Sequence, residues 1–195
     1  EANMTIDSCC RGVTRDIHQI YRVSQNLRRM EQHPEERLTA SVAIYSCERK
    51  EVWMIGDCQA IVDQVYYNND KPDEAVIAAK RSQLIKQGVA PNEARRLIEP
   101  MLVRSVIGGQ NKSYAVVDGF PVFMQGVIVI PAHSEVVLAT DGYPFLRSTL
   151  AESEETLSQQ LRKDPQNIQT FLATKGIKEG NSSFDDRAFI RFSVL

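Results

Sequence analysis

Apolar positions from Asp7 to about Gln32 recur at helical spacing. Val13, Ile17, Ile20, Tyr21, Leu27 and Met30 share one face, while Arg15, Gln19, Arg22, Asn26 and Arg29 are polar. His33-Pro34 closes this predicted helix, because proline disfavours helical backbone in the residue before it. The period then shortens. Leu38 to Tyr45 alternates as a strand, Cys47-Glu48-Arg49-Lys50 is a polar turn, and Val52-Trp53-Met54-Ile55 is its hairpin partner. Gly56-Asp57 interrupts, and Ala60-Ile61-Val62 with Val65-Tyr66-Tyr67 forms a further strand or pair. A helix is predicted over Asp70–Gly88 with Asp70 as its cap, and another from Pro91, ended or kinked at Pro100. Gly108 to Asn111 reads as a loop. Strands return at Tyr114–Val117, Val127–Ile130 and Val136–Ala139. Two helices are expected next, one over Ser153–Arg162 and one opened by Asp164-Pro165. A last strand, Arg187 to Val194, carries Ala188, Ile190, Phe192 and Val194 on one face.

Hairpin-like links between sequential strands, with helices grouped between them, predict antiparallel sheets of the α+β class. The 195 residues suit a single domain, and 43% hydrophobic with 25% charged residues is ordinary globular usage. A formal net charge of -2 provides no global field for nucleic acid or an anionic membrane surface. No run approaches the roughly 18 apolar residues of a spanning helix. Glu1-Ala2-Asn3-Met4 lacks the basic start and apolar core of a signal peptide. Glu1 is also not an initiator, which suggests a processed product or a fragment. Cys9, Cys10, Cys47 and Cys58 show no Cys-x-x-Cys spacing and no nearby histidine, so they read as reduced thiols of a cytoplasmic protein.

The candidate chemistry lies in acidic residues at strand ends. Asp57 follows Met54-Ile55-Gly56, Asp141 follows Val136 to Thr140, and Asp185-Asp186 precede the last strand. A carboxylate there sits on a rigid scaffold and faces a loop surface. Several such strands in one sheet would bring carboxylates together. Oxygen ligands of that kind suit Mg²⁺ or Mn²⁺, and a pair of such ions activates water against phosphoesters. The competing local reading is that Asp-Gly is a common turn signal.

Taken in order, these segments resemble the metal-dependent, type 2C serine/threonine protein phosphatase family. Leu-Thr-Ala-Ser-Val-Ala-Ile-Tyr-Ser (38–46) and Val-Trp-Met-Ile-Gly-Asp-Cys-Gln-Ala (52–60) resemble that family's Gly-Ser-Thr-Ala hairpin and Gly-Asp-Ser-Arg-Ala motif. Val-Leu-Ala-Thr-Asp-Gly-Tyr (137–143) resembles its Leu-Ala-Ser/Thr-Asp-Gly segment. Ser-Ser-Phe-Asp-Asp-Arg-Ala-Phe-Ile (182–190) resembles its closing Asp-Asn-x-Thr/Ser-x-Ile strand entry. The resemblance spans roughly Leu38 to Val194 and is poor between Tyr67 and Ser113. It implies two stacked antiparallel sheets flanked by helices, an αββα sandwich. It further implies Asp141 and Asp185 as catalytic metal ligands, two Mg²⁺ or Mn²⁺ ions, and hydrolysis of phosphoserine, phosphothreonine or small phosphoesters by a metal-bridged water.

The departures are specific. Cys58 and Gln59 stand where the family has serine and arginine. Its early Asp-Gly-x-Gly strand has no counterpart before Leu38, which suggests a domain incomplete at its N-terminus, or else a non-catalytic pseudophosphatase used for binding or regulation. Asp118-Gly119 imitates that motif out of order and reads as a hairpin turn, with an accessory metal ligand as the alternative. A hydrolase with an N-terminal nucleophile shares the element order but needs Ser, Thr or Cys first, which Glu1 is not. Trp53 is expected in the core, Tyr143 and Phe145 beneath the following helix, and His133 in a solvated turn. Arg28-Arg29 and Lys80-Arg81 are expected on solvated helix faces, and Arg95-Arg96 with Arg104 are the candidates for a phosphate-facing patch.

Overall fold

A computed structural model describes residues 4–195. Glu1, on which the expectation about the start of the chain rests, lies outside the described residues. The first helix, α1 (Ile6–Val23), begins at a capping box. Thr5 Oγ1 accepts from the Ser8 amide at 3.2 Å, and Ser8 Oγ accepts from the Thr5 amide at 2.9 Å. Helical spacing continues past Val23, but the chain breaks at Gln25 (φ 59°) and resumes as α2 (Leu27–Gln32), so the single predicted helix is two.

Four short strands follow: β1 (Val42–Ser46), β2 (Glu51–Ile55), β3 (Gln59–Val62) and β4 (Val65–Asn68). The β3–β4 link is the two residues Asp63 (φ 49°) and Gln64 (φ 71°), the twist a tight hairpin needs. Then come α3 (Glu74–Lys86), α4 (Pro91–Gly109), β5 (Val127–Pro131), β6 (Glu135–Ala139), α5 (Leu150–Lys163) and β7 (Phe189–Ser193). All pairing within the two sheets is antiparallel, in the orders β1-β2-β5 and β4-β3-β6-β7. The chain is thus α+β with two antiparallel sheets.

Strand alternation decides what each face meets. Val52 and Met54 of β2 share one buried cluster with Ala60 and Val62 of β3 and Val136 and Leu138 of β6, so the two sheets pack face to face. Ile55, one step out of phase, packs with Cys10 of α1. Ile61 and Val137, out of phase on the other sheet, pack with Leu157 of α5. Each fully buried Val, Ile, Leu or Met among them stabilises the fold by about 1.5–3 kcal/mol. Trp53 is buried as expected, and its indole N–H donates to Glu51 at 3.0 Å.

Three local expectations fail for identifiable reasons, and the alternatives for a fourth are narrowed. Asp70 does not cap α3; its carboxylate accepts from Asn68, and the helix starts at Glu74. Pro100 does not end α4, which runs on to Gly109, so of the two alternatives only a kink is left open. Tyr114–Val117 is no strand, since it makes only two isolated bridges, Val117 to Ala40 and Tyr114 to Gln110. Asp164-Pro165 opens no helix. The Asp164 carboxylate instead accepts from the amides of Ile168 (2.9 Å) and Gln169 (2.8 Å), folding the chain into a tight turn where α5 ends.

That turn starts an irregular segment, 164–188, which the neighbouring helices hold in place. Arg81 is not on a solvated face; it is 2% exposed. Its guanidinium donates to the Gln166 carbonyl at 2.7 Å and to Gln166 Oε1 at 3.0 Å. Ser82 donates to the Ile168 carbonyl at 2.9 Å, and Arg95 donates to that of Thr174 at 2.9 Å. None of the described helices is long and apolar enough to cross a membrane.

Candidate functional site

Antiparallel pairing places three distant aspartates at one end of the second sheet. Gln59, the first residue of β3, pairs with Ala139, the last of β6, which pairs with Phe189, the first of β7. Asp57 lies two residues before β3, Asp141 two residues after β6, and Asp185 four residues before β7. All three line one cleft of about 240 Å³ with Lys71, Glu74 and Lys175. A neighbouring cavity of about 390 Å³ shares Asp57, Lys71, Glu74, Asp141 and Lys175, and is closed by Arg95, Tyr114 and Thr174.

Asp57 sits where the chain crosses from the first sheet to the second, after Gly56 at φ 80°. A side chain at Gly56 would collide with Ser41 as well as strain the backbone. Asp57 accepts from the Ser41 hydroxyl, and at 2.5 Å from the Lys71 ammonium. Burial opposes its ionisation, but the charge and hydrogen bond of Lys71, with the Ser41 bond, outweigh burial and hold the carboxyl below its usual range. Lys71 responds in kind. Its desolvation is outweighed by Asp57, and its pKa rises.

Asp141 is set differently. Gln59 donates to the backbone carbonyls of Thr140 (3.0 Å) and Tyr143 (2.9 Å), and is itself held by the Tyr66 hydroxyl at 2.9 Å. The loop bearing Asp141 is therefore fixed from β3. Gly142 lies so close to the backbone of Asp186 and Arg187 that a Cβ there would clash with both. Among the described residues the Asp141 carboxylate has no hydrogen-bond or ion-pair partner. Although the residue is exposed at the cleft, partial desolvation of its carboxyl raises its pKa first, and the charges of Asp57 and Asp185 raise it further. Glu74 is also raised, by burial above all, and further by Asp57 and Asp141. Asp185 is ion-paired with Lys175.

The donors are oxygens of the kind hard divalent cations take. In the arrangement seen, no three described His, Cys, Asp or Glu side chains are grouped closely enough to hold a metal ion. The two lysines already occupy a carboxylate oxygen each, on Asp57 and on Asp185. Asp186 lies outside the cleft's lining.

Other candidates fall elsewhere. Asp118 is neither a hairpin turn between strands nor free to bind an ion. It is fully buried, and accepts from Arg37 (3.0 Å), Gln110 (2.8 Å), Asn111 (3.0 Å) and the Phe120 amide (2.9 Å). His133 is exposed in its turn, where its amide donates to Asp63. His18 meets the Gly119 carbonyl at 3.2 Å. Arg95, Arg96 and Arg104 make no shared patch: Arg95 reaches Thr174, Arg96 pairs with Glu93, and Arg104 bonds the Pro100 carbonyl. Tyr143 packs against α5 and also lines the cleft, while Phe145 stacks edge-on with Phe171.

Sequence patterning did not expose Lys71, Glu74, Lys175 or Gln59. Loop lysines are abundant on any surface, and nothing local marks one that will face an aspartate. Gln59 stood out only as a departure from the family motif it resembles. Comparison of the chain with protein-family models, curated proteins and solved structures gave no match.

Proposed function

We propose that the chain is a divergent metal-dependent phosphatase acting on phosphomonoesters, such as phosphoserine, phosphothreonine or a small phosphoester, with an αββα fold of the type 2C kind. One observation carries the proposal: Asp57, Asp141 and Asp185, far apart in sequence, converge at one end of one sheet on a shared cleft. Asp141 lies in the field of Asp57 and Asp185 with a carboxylate uncommitted to other groups, which favours a cation beside it. Asp141 and Asp185 would hold Mg²⁺ or Mn²⁺. Such an ion, when bound, supplies a Lewis acid that activates water toward phosphorus. Gln59 keeps the Asp141 loop in place, and Gly142 lets it lie against the entry to β7.

The test is hydrolysis of p-nitrophenyl phosphate with and without Mn²⁺. Activity is expected to need the ion and to fall at least ~100-fold in Asp141→Ala, as expected of a lost ligand. Unchanged activity in that variant would refute the assignment. A second reading, a non-catalytic pseudophosphatase, is favoured by the two lysines, which pair with Asp57 and Asp185 and neutralise them. It predicts no Mn²⁺-dependent turnover in the wild-type chain.

A further inference from the structure

We infer that Lys71 and Lys175 are the cleft's own counter-cations, and that they weaken its hold on a divalent ion by occupying the oxygens the ion would need. This rests on the metal-site reading above and concerns the regulation of that site. Lys71 Nζ bonds Asp57 Oδ2 at 2.5 Å, and Lys175 Nζ bonds Asp185 Oδ2. Of the three converging aspartates, only Asp141 is left without such a partner. Both ammonium groups come from outside the strands. Lys71 lies on the link between β4 and α3, and Lys175 on the irregular segment before β7.

The two pairs are open enough to exchange. The Lys71 and Asp57 side chains are 35% and 17% exposed, and those of Lys175 and Asp185 39% and 34%. A lysine head on a flexible four-carbon stem can leave its carboxylate and remain hydrated. An incoming dication must displace it, and meets the repulsion of a fixed positive charge if it does not. The lysines therefore compete with the ion rather than block its entry. The segment bearing Lys175 is itself anchored to α3 and α4 through Arg81, Ser82 and Arg95, so the competing charge is held at the cleft.

The experiment is calorimetric titration of Mn²⁺ into the full chain and into Lys71→Met, Lys175→Met, Lys175→Gln and Lys175→Arg, each checked for folding by its melting curve. The neutral variants are expected to bind Mn²⁺ at least tenfold more tightly than wild type, while Lys175→Arg, which keeps the charge, stays near wild type. Neutral variants that bind no tighter than wild type overturn the inference and leave the phosphatase reading standing. Absence of Mn²⁺ binding in every protein overturns both. Tighter binding in the neutral variants, with no phosphatase activity in any protein, supports the inference and refutes only the hydrolase.

Discussion

Asp118 provides a sharp test of how the segment before β1 is tied to the end of α4 and the loop that follows it. Its carboxylate is 0% exposed and accepts four hydrogen bonds, at 2.8–3.0 Å, from Arg37, Gln110, Asn111 and the Phe120 amide. Arg37 is nearly as enclosed, its side chain 10% exposed, with its guanidinium 3.6 Å above the Phe120 ring and donating to the Met30 carbonyl at 2.7 Å. The ion pair need not be a large net stabiliser, because desolvating both charges offsets much of their attraction. Removing one partner is different. Asp118→Asn keeps the shape, leaves Arg37 buried without its counter-charge, and turns one acceptor oxygen into a donor facing two of the four donors. Breaking a buried pair in this way costs about 3–5 kcal/mol. With a urea m-value of about 2 kcal/mol/M, the unfolding midpoint should fall by roughly 1.5–2.5 M. The melting temperature should drop by roughly 6–20 °C. Urea titration followed by Trp53 fluorescence suits the measurement, since Trp53 is 2% exposed in the fold. Arg37→Met completes a double-mutant cycle, in which the pair should show a coupling of at least about 1 kcal/mol. A loss below about 1 kcal/mol for Asp118→Asn, or simple additivity in the cycle, would refute the account. Loss of Mn²⁺ binding with unchanged stability would revive Asp118 as an accessory ligand.

Two further outcomes follow from ionisation. Burial, then the charges of Asp57 and Asp141, push the Cys58 thiol up to about 12, and burial, with Cys9 and Asp7, pushes Cys10 up to about 11. At pH 8 roughly one Cys58 in ten thousand is thiolate, so Ellman's reagent should label exposed Cys47 first and reach Cys10 and Cys58 only on unfolding in urea. Fast labelling of all four in the folded protein would contradict this. Asp63 accepts from Ser134 Oγ and from the amides of His133, Ser134 and Glu135, which hold its carboxyl well below the usual range. A depressed folded-state pKa contributes stability that is complete above the unfolded value near 4 and is lost as pH falls toward the folded one. The melting-temperature gap between wild type and Asp63→Asn should therefore be widest at neutral pH and close as pH drops from about 4 toward 2; a gap that widens on acidification would reverse the sign.

Much of the fold was legible in the chain because it depends on neighbours in sequence. The period of two in Val52 to Ile55 and Val136 to Ala139, and the period near 3.6 in Ile6 to Val23, are set by how each side chain leaves its own backbone. Asp57, Asp141 and Asp185 were visible as strand-end acids for the same reason. What local pattern could not supply was partnership. Asp164-Pro165 has the composition of a helix start, yet its carboxylate turns the chain back because α5 has just ended and Arg81 holds Gln166. Tyr114 to Val117 has the pattern of a strand, but it makes only isolated bridges, to Ala40 and to Gln110, and joins neither sheet.

The sequence by itself determined the α+β class, most of the helices and strands in their order, and the positions of three carboxylates near strand ends. Only the tertiary structure decided that strands from three parts of the chain pair so that those ends coincide, and that Lys71, Glu74 and Lys175 arrive there from loops and a helix end. The physical reason is one of range. Backbone geometry is written within a few residues, whereas the meeting of an ammonium and a carboxylate depends on which distant surfaces pack together, and no local periodicity encodes that.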